Sequence, residues 1–306
     1  MPVKDIKISK LKGRIISVKK GVYLVRDELR PGEQISCASC TRLRIEGKKP
    51  FCGDYVIYED NGDGSGFITD LLPRKNSFPR PSVANADILA VVVAAASPDP
   101  DLYYIDKLTC LGAAAGVEVA VIVNKNDLKD GSGVSGVYEK CGFKTFLISA
   151  ARSGEKLPEI QSIKDYFKAK TVVLAGPSGA GKSTLLNAMY PRFKIKVGQL
   201  SKRISRGKNT TRHAELYPAD DLGYIADTPG FSALDLERGG VITSCKLGEC
   251  FPEMCPFMDL CRFSKCSHTV EEGCGVLAGV REGVIPKSRH ESYKKLFDAL
   301  KNVSPY

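Results

Sequence analysis

Three short stretches carry residue types that could handle a nucleoside triphosphate. Gly176-Pro177-Ser178-Gly179-Ala180-Gly181-Lys182-Ser183-Thr184 matches G-x-x-x-x-G-K-[ST], with an apolar run from Thr171 to Ala175 before it and a helix-like run from Ser183 to Tyr190 after it. Such glycines let backbone N–H groups close around phosphates at a helix N-terminus, whose dipole favours negative charge. Lys182 would reach the β and γ phosphates, and the Ser183 hydroxyl suits Mg²⁺. A phosphate loop does not by itself choose a base. Asn124-Lys125-Asn126-Asp127 follows the apolar stretch Val117 to Val123, and the Asp127 carboxylate can accept from N1–H and the 2-amino group of guanine as a charge-assisted pair. Adenine has neither donor there, so a buried carboxylate would be left unpaired and ATP rejected. Asn124 and Lys125 would pin the loop and cover the ring.

Three further elements complete the set. Ser149-Ala150 ends a strand-like run and fits the loop that supports a guanine. Asp227-Thr228-Pro229-Gly230 fits D-x-x-G, with Asp227 holding the Mg²⁺ shell through water and the Gly230 N–H sensing the γ-phosphate. Thr210-Thr211 fits a switch threonine that completes Mg²⁺ coordination. Their order along the chain is base tetrad, Ser-Ala, phosphate loop, switch threonine, D-x-x-G, which is a circular permutation of the ordinary GTPase order. Domain termini lie at the surface and often near one another, so such a cut leaves the packing intact. Phe231 stands where many GTPases carry a water-orienting glutamine. A phenyl ring cannot orient water, so intrinsic turnover should be slow; His213 is a candidate helper, and the water-orienting group stays unassigned.

A separate cluster, Cys261-x4-Cys266-x-His268-x5-Cys274, offers three thiolates and an imidazole, a common donor set for a closed structural Zn²⁺ site. Cys245, Cys250 and Cys255 compete in principle. Cys37, Cys40 and Cys52 look like part of a zinc ribbon without a fourth sulfur or a nearby histidine.

The elements that must position these groups are legible in outline. At 306 residues the chain has room for about two domains, or three if two are small. Residues 1–75 show short alternating runs between Gly, Asp and Asn turns, which suggest a small all-β barrel, OB-like or SH3-like; 76–84 reads as a linker. Residues 85–235 read strand, helix, strand, the signature of a parallel α/β sheet, and 236–306 hold the cysteine cluster and a C-terminal helix with Tyr293, Leu296, Phe297 and Leu300 at helical spacing. The formal charge of +10 favours an acidic partner such as nucleic acid. Arg192 to His213 holds eight Lys or Arg residues and no Asp or Glu. Six of the eleven cysteines fall between Cys245 and Cys274, which suits local metal binding rather than disulfides. The charged start and the shortness of the longest apolar run, Ile88 to Ala96, predict a cytoplasmic protein with no membrane span.

The permuted order, the barrel before it and the cysteine cluster after it resemble the RsgA/YjeQ family of small-subunit-dependent GTPases over essentially the whole chain. The resemblance implies an OB-like barrel, a circularly permuted P-loop GTPase unit of α/β class and a small zinc-binding α domain. It also implies one structural Zn²⁺ on Cys261, Cys266, His268 and Cys274, and a cytoplasmic enzyme that hydrolyses GTP with Mg²⁺ on the 30S subunit. Such an enzyme acts late in subunit maturation and touches 16S rRNA; we expect a monomer. Two alternatives stand beside it: a nucleotide-regulated RNA-binding assembly factor with little turnover, and a permuted GTPase of large-subunit assembly.

Overall fold

Alternating apolar residues between Gly, Asp and Asn turns build the first strands: β1 (Lys10–Lys19), β2 (Val22–Asp27), β3 (Gln34–Ser39), β4 (Tyr55–Asp60) and β5 (Ser65–Leu71). The computed structural model describes residues 10–30, 32–79, 82–152, 157–193, 214–219, 223–227 and 242–301. The five strands pair in the order β1-β2-β3-β5-β4, and β4 returns to β1, which closes the barrel. All neighbours are antiparallel except β3 and β5. A one-and-a-half-turn helix, α1 (Thr41–Ile45), sits between β3 and β4 and buries Leu43. Closure in this order is the OB-like arrangement. Ile15, Val25, Val56, Tyr58 and Ile68 fill the interior. The buried Asp27 carboxylate is satisfied by the Tyr58 hydroxyl at 2.5 Å and by the Leu29 and Arg30 amides, both at 2.8 Å.

The stretch read as a linker is a packed connector. β6 (Ser77–Pro79) and β7 (Ser82–Ala84) form a two-stranded ribbon, and Phe78 and Val83 are wholly buried.

Next comes an alternation of β8 (Ile88–Ala94), α2 (Leu102–Ala114), β9 (Glu118–Asn124), α3 (Ser132–Lys140), β10 (Lys144–Leu147), α4 (Pro158–Phe167), β11 (Thr171–Ala175) and α5 (Lys182–Met189). β12 (Glu215–Pro218) and β13 (Tyr224–Asp227) follow. The sheet order is β10-β9-β8-β11-β13-β12, parallel apart from the β12–β13 pair. The continuous apolar strands reflect burial on both faces. Leu89, Val91 and Val93 of β8 join the core under α2 and α3, whereas Ile88, Ala90 and Val92 join the core under α4 and α5. α2 starts where Asp101 accepts from the Tyr104 amide at 3.1 Å and ends before Gly116, whose φ of +65° stops the helix. At its edge β12 meets β1 through the Ser17–Glu215 pair, so one sheet runs from the α/β unit into the barrel.

The C-terminal unit holds α6 (Cys255–Met258), α7 (Gly275–Arg281) and α8 (Lys287–Lys301). Its Phe251, Met254, Val276, Tyr293 and Leu296 belong to the same core cluster as α2. A buried ion cluster seals the join. The Arg289 guanidinium, 0% exposed, donates to Glu253 at 2.7 and 3.3 Å, to Asp106 of α2 at 2.6 Å and to Thr109 at 2.9 Å. Asp106 also accepts from the Tyr138 hydroxyl of α3 at 2.8 Å. Burial raises the Asp106 carboxyl above its ordinary range even though the Arg289 charge opposes it. Breaking one partner out of such a pair costs about 3–5 kcal/mol, so the C-terminal unit is tied to α2 and α3 rather than tethered loosely. Among the described residues no helix is long and apolar enough to cross a membrane.

Candidate functional site

The parallel register brings the strand ends to one edge. Ala94 of β8 lies beside Asn124, Val123 beside Leu147, and Val91 beside Ala175. The base tetrad, Ser149-Ala150 and the phosphate loop therefore leave the sheet together at its carboxyl edge, where open α/β folds bind ligands.

Two glycines of the phosphate loop are required by close approaches. Gly176 has φ +136°, and a Cβ there would lie 2.0 Å from the Val92 carbonyl oxygen. Gly181 has φ +94° and caps α5; a Cβ there would lie 2.2 Å from Asn124 Nδ2. The Lys182 ammonium donates to the Gly176 and Pro177 carbonyls, both at 2.8 Å, so its charge sits at the mouth of the loop. Ser183 is buried in the first turn of α5, whereas Ser178 and Gly179 are exposed on the rim.

Asn124 ties the three motifs together. Its Nδ2 donates to the Ala180 carbonyl at 3.0 Å, and its Oδ1 accepts from the Ala150 amide at 3.0 Å. Lys125, at φ +63°, turns back over the rim and donates from Nζ to the Ser97 carbonyl. Asn126 braces the loop: its amide donates to Ile148 O and its Oδ1 accepts from the Gly131 amide, each at 3.0 Å. Asp127 is exposed at the rim. Ser149 and Ala150 are buried beneath the tetrad.

β13 carries the D-x-x-G start to the same edge, with its backbone described through Asp227. The Asp227 side chain, Gly230, Thr210, Thr211 and His213 lie outside the described residues.

The cysteine cluster converges. One donor atom each from Cys261, Cys266, His268 and Cys274 lies within 4.8 Å of the others. Cys261 Sγ is 3.8 Å from Cys274 Sγ and 3.4 Å from His268 Nδ1, and Cys274 Sγ is 3.6 Å from that nitrogen. Metal–sulfur bonds of about 2.3 Å in a tetrahedron imply edges of about 3.8 Å, so the donor set fits a closed site. Burial holds the His268 imidazole below its ordinary pKa, with Glu271 opposing and His290 assisting, a direction that favours the neutral ring a metal ligand needs. Glu271 organises the loop. Burial works against its ionisation, but hydrogen bonds from the Ser267 hydroxyl and amide and the Val270 amide bring its pKa down to about 2. Among the described residues this is the one such group: Cys37 lies in the barrel core and Cys52 in the neighbouring one, each with its thiol pushed up to about 12 chiefly by burial.

The RsgA GTPase family matches residues 71–237, more than half of the chain. A small ribosomal subunit biogenesis GTPase RsgA from Moorella thermoacetica is 36% identical over 285 residues, covering 92% of this chain and 95% of the relative. The chain belongs to the RsgA GTPase family. The protein of the same name from Alkaliphilus metalliredigens is 36% identical over 300 residues, with 96% and 99% coverage. The crystal structure of YjeQ from Thermotoga maritima matches at TM-score 0.79 and 34% identity, covering 96% of this chain and 99% of that one. YloQ, described as a circularly permuted GTPase, matches at TM-score 0.77 and 28% identity over the full length of both chains. Membership makes the chain a GTP hydrolase, and the motif order read from the sequence is the family's permuted one.

Sequence reasoning missed the residues that join the units. Arg289, Asp106 and Glu253 are wholly or nearly buried, yet each lies in a segment whose pattern reads as an ordinary helix or loop.

Proposed function

We propose that the chain is a GTPase stimulated by the small (30S) ribosomal subunit, acting in late maturation of that subunit in contact with 16S rRNA, in the cytoplasm and as a monomer. The observation that carries the nucleotide reading is Asn124, whose one amide holds the phosphate loop and the Ser-Ala loop at once. The relatives' shared name supports the choice of subunit, and the net charge of +10 supports an RNA partner. We divide the chain into a barrel at 1–75, a connector at 76–84, the GTPase unit at 85–235 and the zinc unit at 236–306.

In this reading Asp127 accepts from the guanine edge, Asn124, Lys125 and Asn126 hold the tetrad, and Ser149 and Ala150 support the ring. The amides of residues 176–184 wrap the phosphates while Lys182 neutralises charge developing on the β–γ bridge. Ser183, with Thr210 or Thr211 and Asp227, would hold Mg²⁺, which supplies charge to the phosphates when bound. Gly230 reads the γ-phosphate. Cys261, Cys266, His268 and Cys274 hold one structural Zn²⁺; no metal chemistry is asked of it.

Asp127→Asn tests the base reader. GTP affinity should fall on the order of 10²-fold or more, since two charge-assisted hydrogen bonds are lost, while xanthosine triphosphate, with a carbonyl in place of the 2-amino group, should gain. Unchanged GTP binding in a titration with both nucleotides would remove Asp127 from this role.

A further inference from the structure

Arg14 belongs to the barrel, but its guanidinium reaches across into the GTPase unit. Only 7% exposed on β1, it donates from Nε to the Gly53 carbonyl at 3.3 Å and from one terminal nitrogen to the Asn85 carbonyl at 3.4 Å and to Thr171 Oγ1 at 2.9 Å. The guanidinium stacks between two rings, 5.0 Å from the centroid of Tyr55 in the barrel and 4.7 Å from that of Tyr224. Thr171 and Tyr224 are cross-strand partners in the parallel β11–β13 pair. From that pair β11 runs straight to the phosphate loop and β13 runs straight to Asp227. Arg26, also on the barrel, reinforces the clamp by donating to the Tyr224 hydroxyl at 3.4 Å.

We propose that Arg14 is a positioning residue for subunit-stimulated GTP hydrolysis, fixing the barrel on the base of the two strands that end in the phosphate loop and in Asp227. The barrel has an apolar core of its own and the α/β sheet is covered on both faces, so the guanidinium sits at the junction between cores rather than within one. What the planar fork supplies, and lysine cannot, is three directional hydrogen bonds with both faces stacked. Strand β12 adds a second bond to the barrel through Glu215 and Ser17, with Lys19 Nζ 3.9 Å from the Glu215 carboxylate. Force applied to the barrel by a bound subunit therefore reaches β11, β12 and β13 together. Two rigid strands under one clamp are a physical route between sites, which coupling measurements must then weigh. The inference rests on the small-subunit reading given above.

The test uses the full-length, zinc-loaded chain. GTP hydrolysis is measured with and without 30S subunits for the wild type, Arg14→Met, Tyr224→Leu and the double variant, alongside sedimentation with 30S. Each variant should keep its unstimulated rate and KM for GTP within about twofold, keep subunit binding, and lose stimulation at least about tenfold, with the double variant no worse than the worse single. Tyr224→Leu carries the test if Arg14→Met does not fold. Wild-type stimulation in both single variants would overturn the role. So would a proportionate fall of stimulated and unstimulated rates, or loss of subunit binding. A wild type that 30S does not stimulate refutes the small-subunit reading instead.

Discussion

Lys182→Ala should reduce GTP hydrolysis on the order of 10²–10³-fold, the loss seen when one preorganised electrostatic contact to a transition state is removed. The ammonium is held by two carbonyls of the loop itself, each at 2.8 Å. Its charge is thus already at the loop mouth and need not be recruited when phosphate enters. Gly176 and Gly181 permit that geometry because any side chain would strike Val92 O or Asn124 Nδ2. Replacement by alanine leaves the backbone cradle intact, so the barrel and zinc content should be unaffected and the deficit should fall mainly on kcat. A steady-state fall smaller than about tenfold would show that the loop amides carry the charge without Lys182.

The second large effect concerns the thiolate cluster. On the zinc reading proposed above, chelation, or replacing Cys274 by Ser, should unfold the C-terminal unit, because structural zinc contributes about 10–16 kcal/mol in small zinc peptides. Cys274 has three attachments at once: it faces Cys261 and His268, its sulfur accepts from the Leu277 amide at 3.5 Å to start α7, and it is buried beside the core that includes Val276 and Tyr293. Loss should spread beyond the cluster. Once α8 loosens, Arg289 leaves Asp106 in α2 with an uncompensated buried carboxylate. The thermal transition should drop by many degrees and return on adding Zn²⁺. An unchanged transition after complete metal removal would show that the cluster is not a folding element.

Much of the nucleotide site was legible because its chemistry constrains single positions. Close backbone approach demands glycine at 176 and 181, and phosphate binding demands a cation and a hydroxyl at the following helix start. The two strands before the motifs are apolar on both faces, a pattern that leaves few other folds. The barrel's strands were legible as a group, although β3, Gln34–Ser39, gave little signal because Ile35 is the one large apolar residue in its alternation. Less was legible where function depends on pairs far apart in the chain. Arg289 reads as part of the basic face of an amphipathic helix, yet its partner Asp106 is 183 positions away, and only the tertiary fold makes that face an interior one. Arg14 is the same case: one of several cations on a basic barrel, distinguished only by Thr171 and Tyr224. α3, with two glycines in Ser132–Lys140, has weak helical propensity and is held by Tyr138 packed beneath it and by the Asn126 brace on Gly131.

Turnover with purified subunits decides whether the small ribosomal subunit sets this GTP hydrolase in motion. GTP hydrolysis should be slow for the chain alone, as Phe231 in place of a water-orienting glutamine implies. It should rise manyfold with 30S and stay near the unstimulated rate with 50S. Equal rates with 30S and without subunits, or stimulation by 50S alone, would rule out a small-subunit-stimulated enzyme.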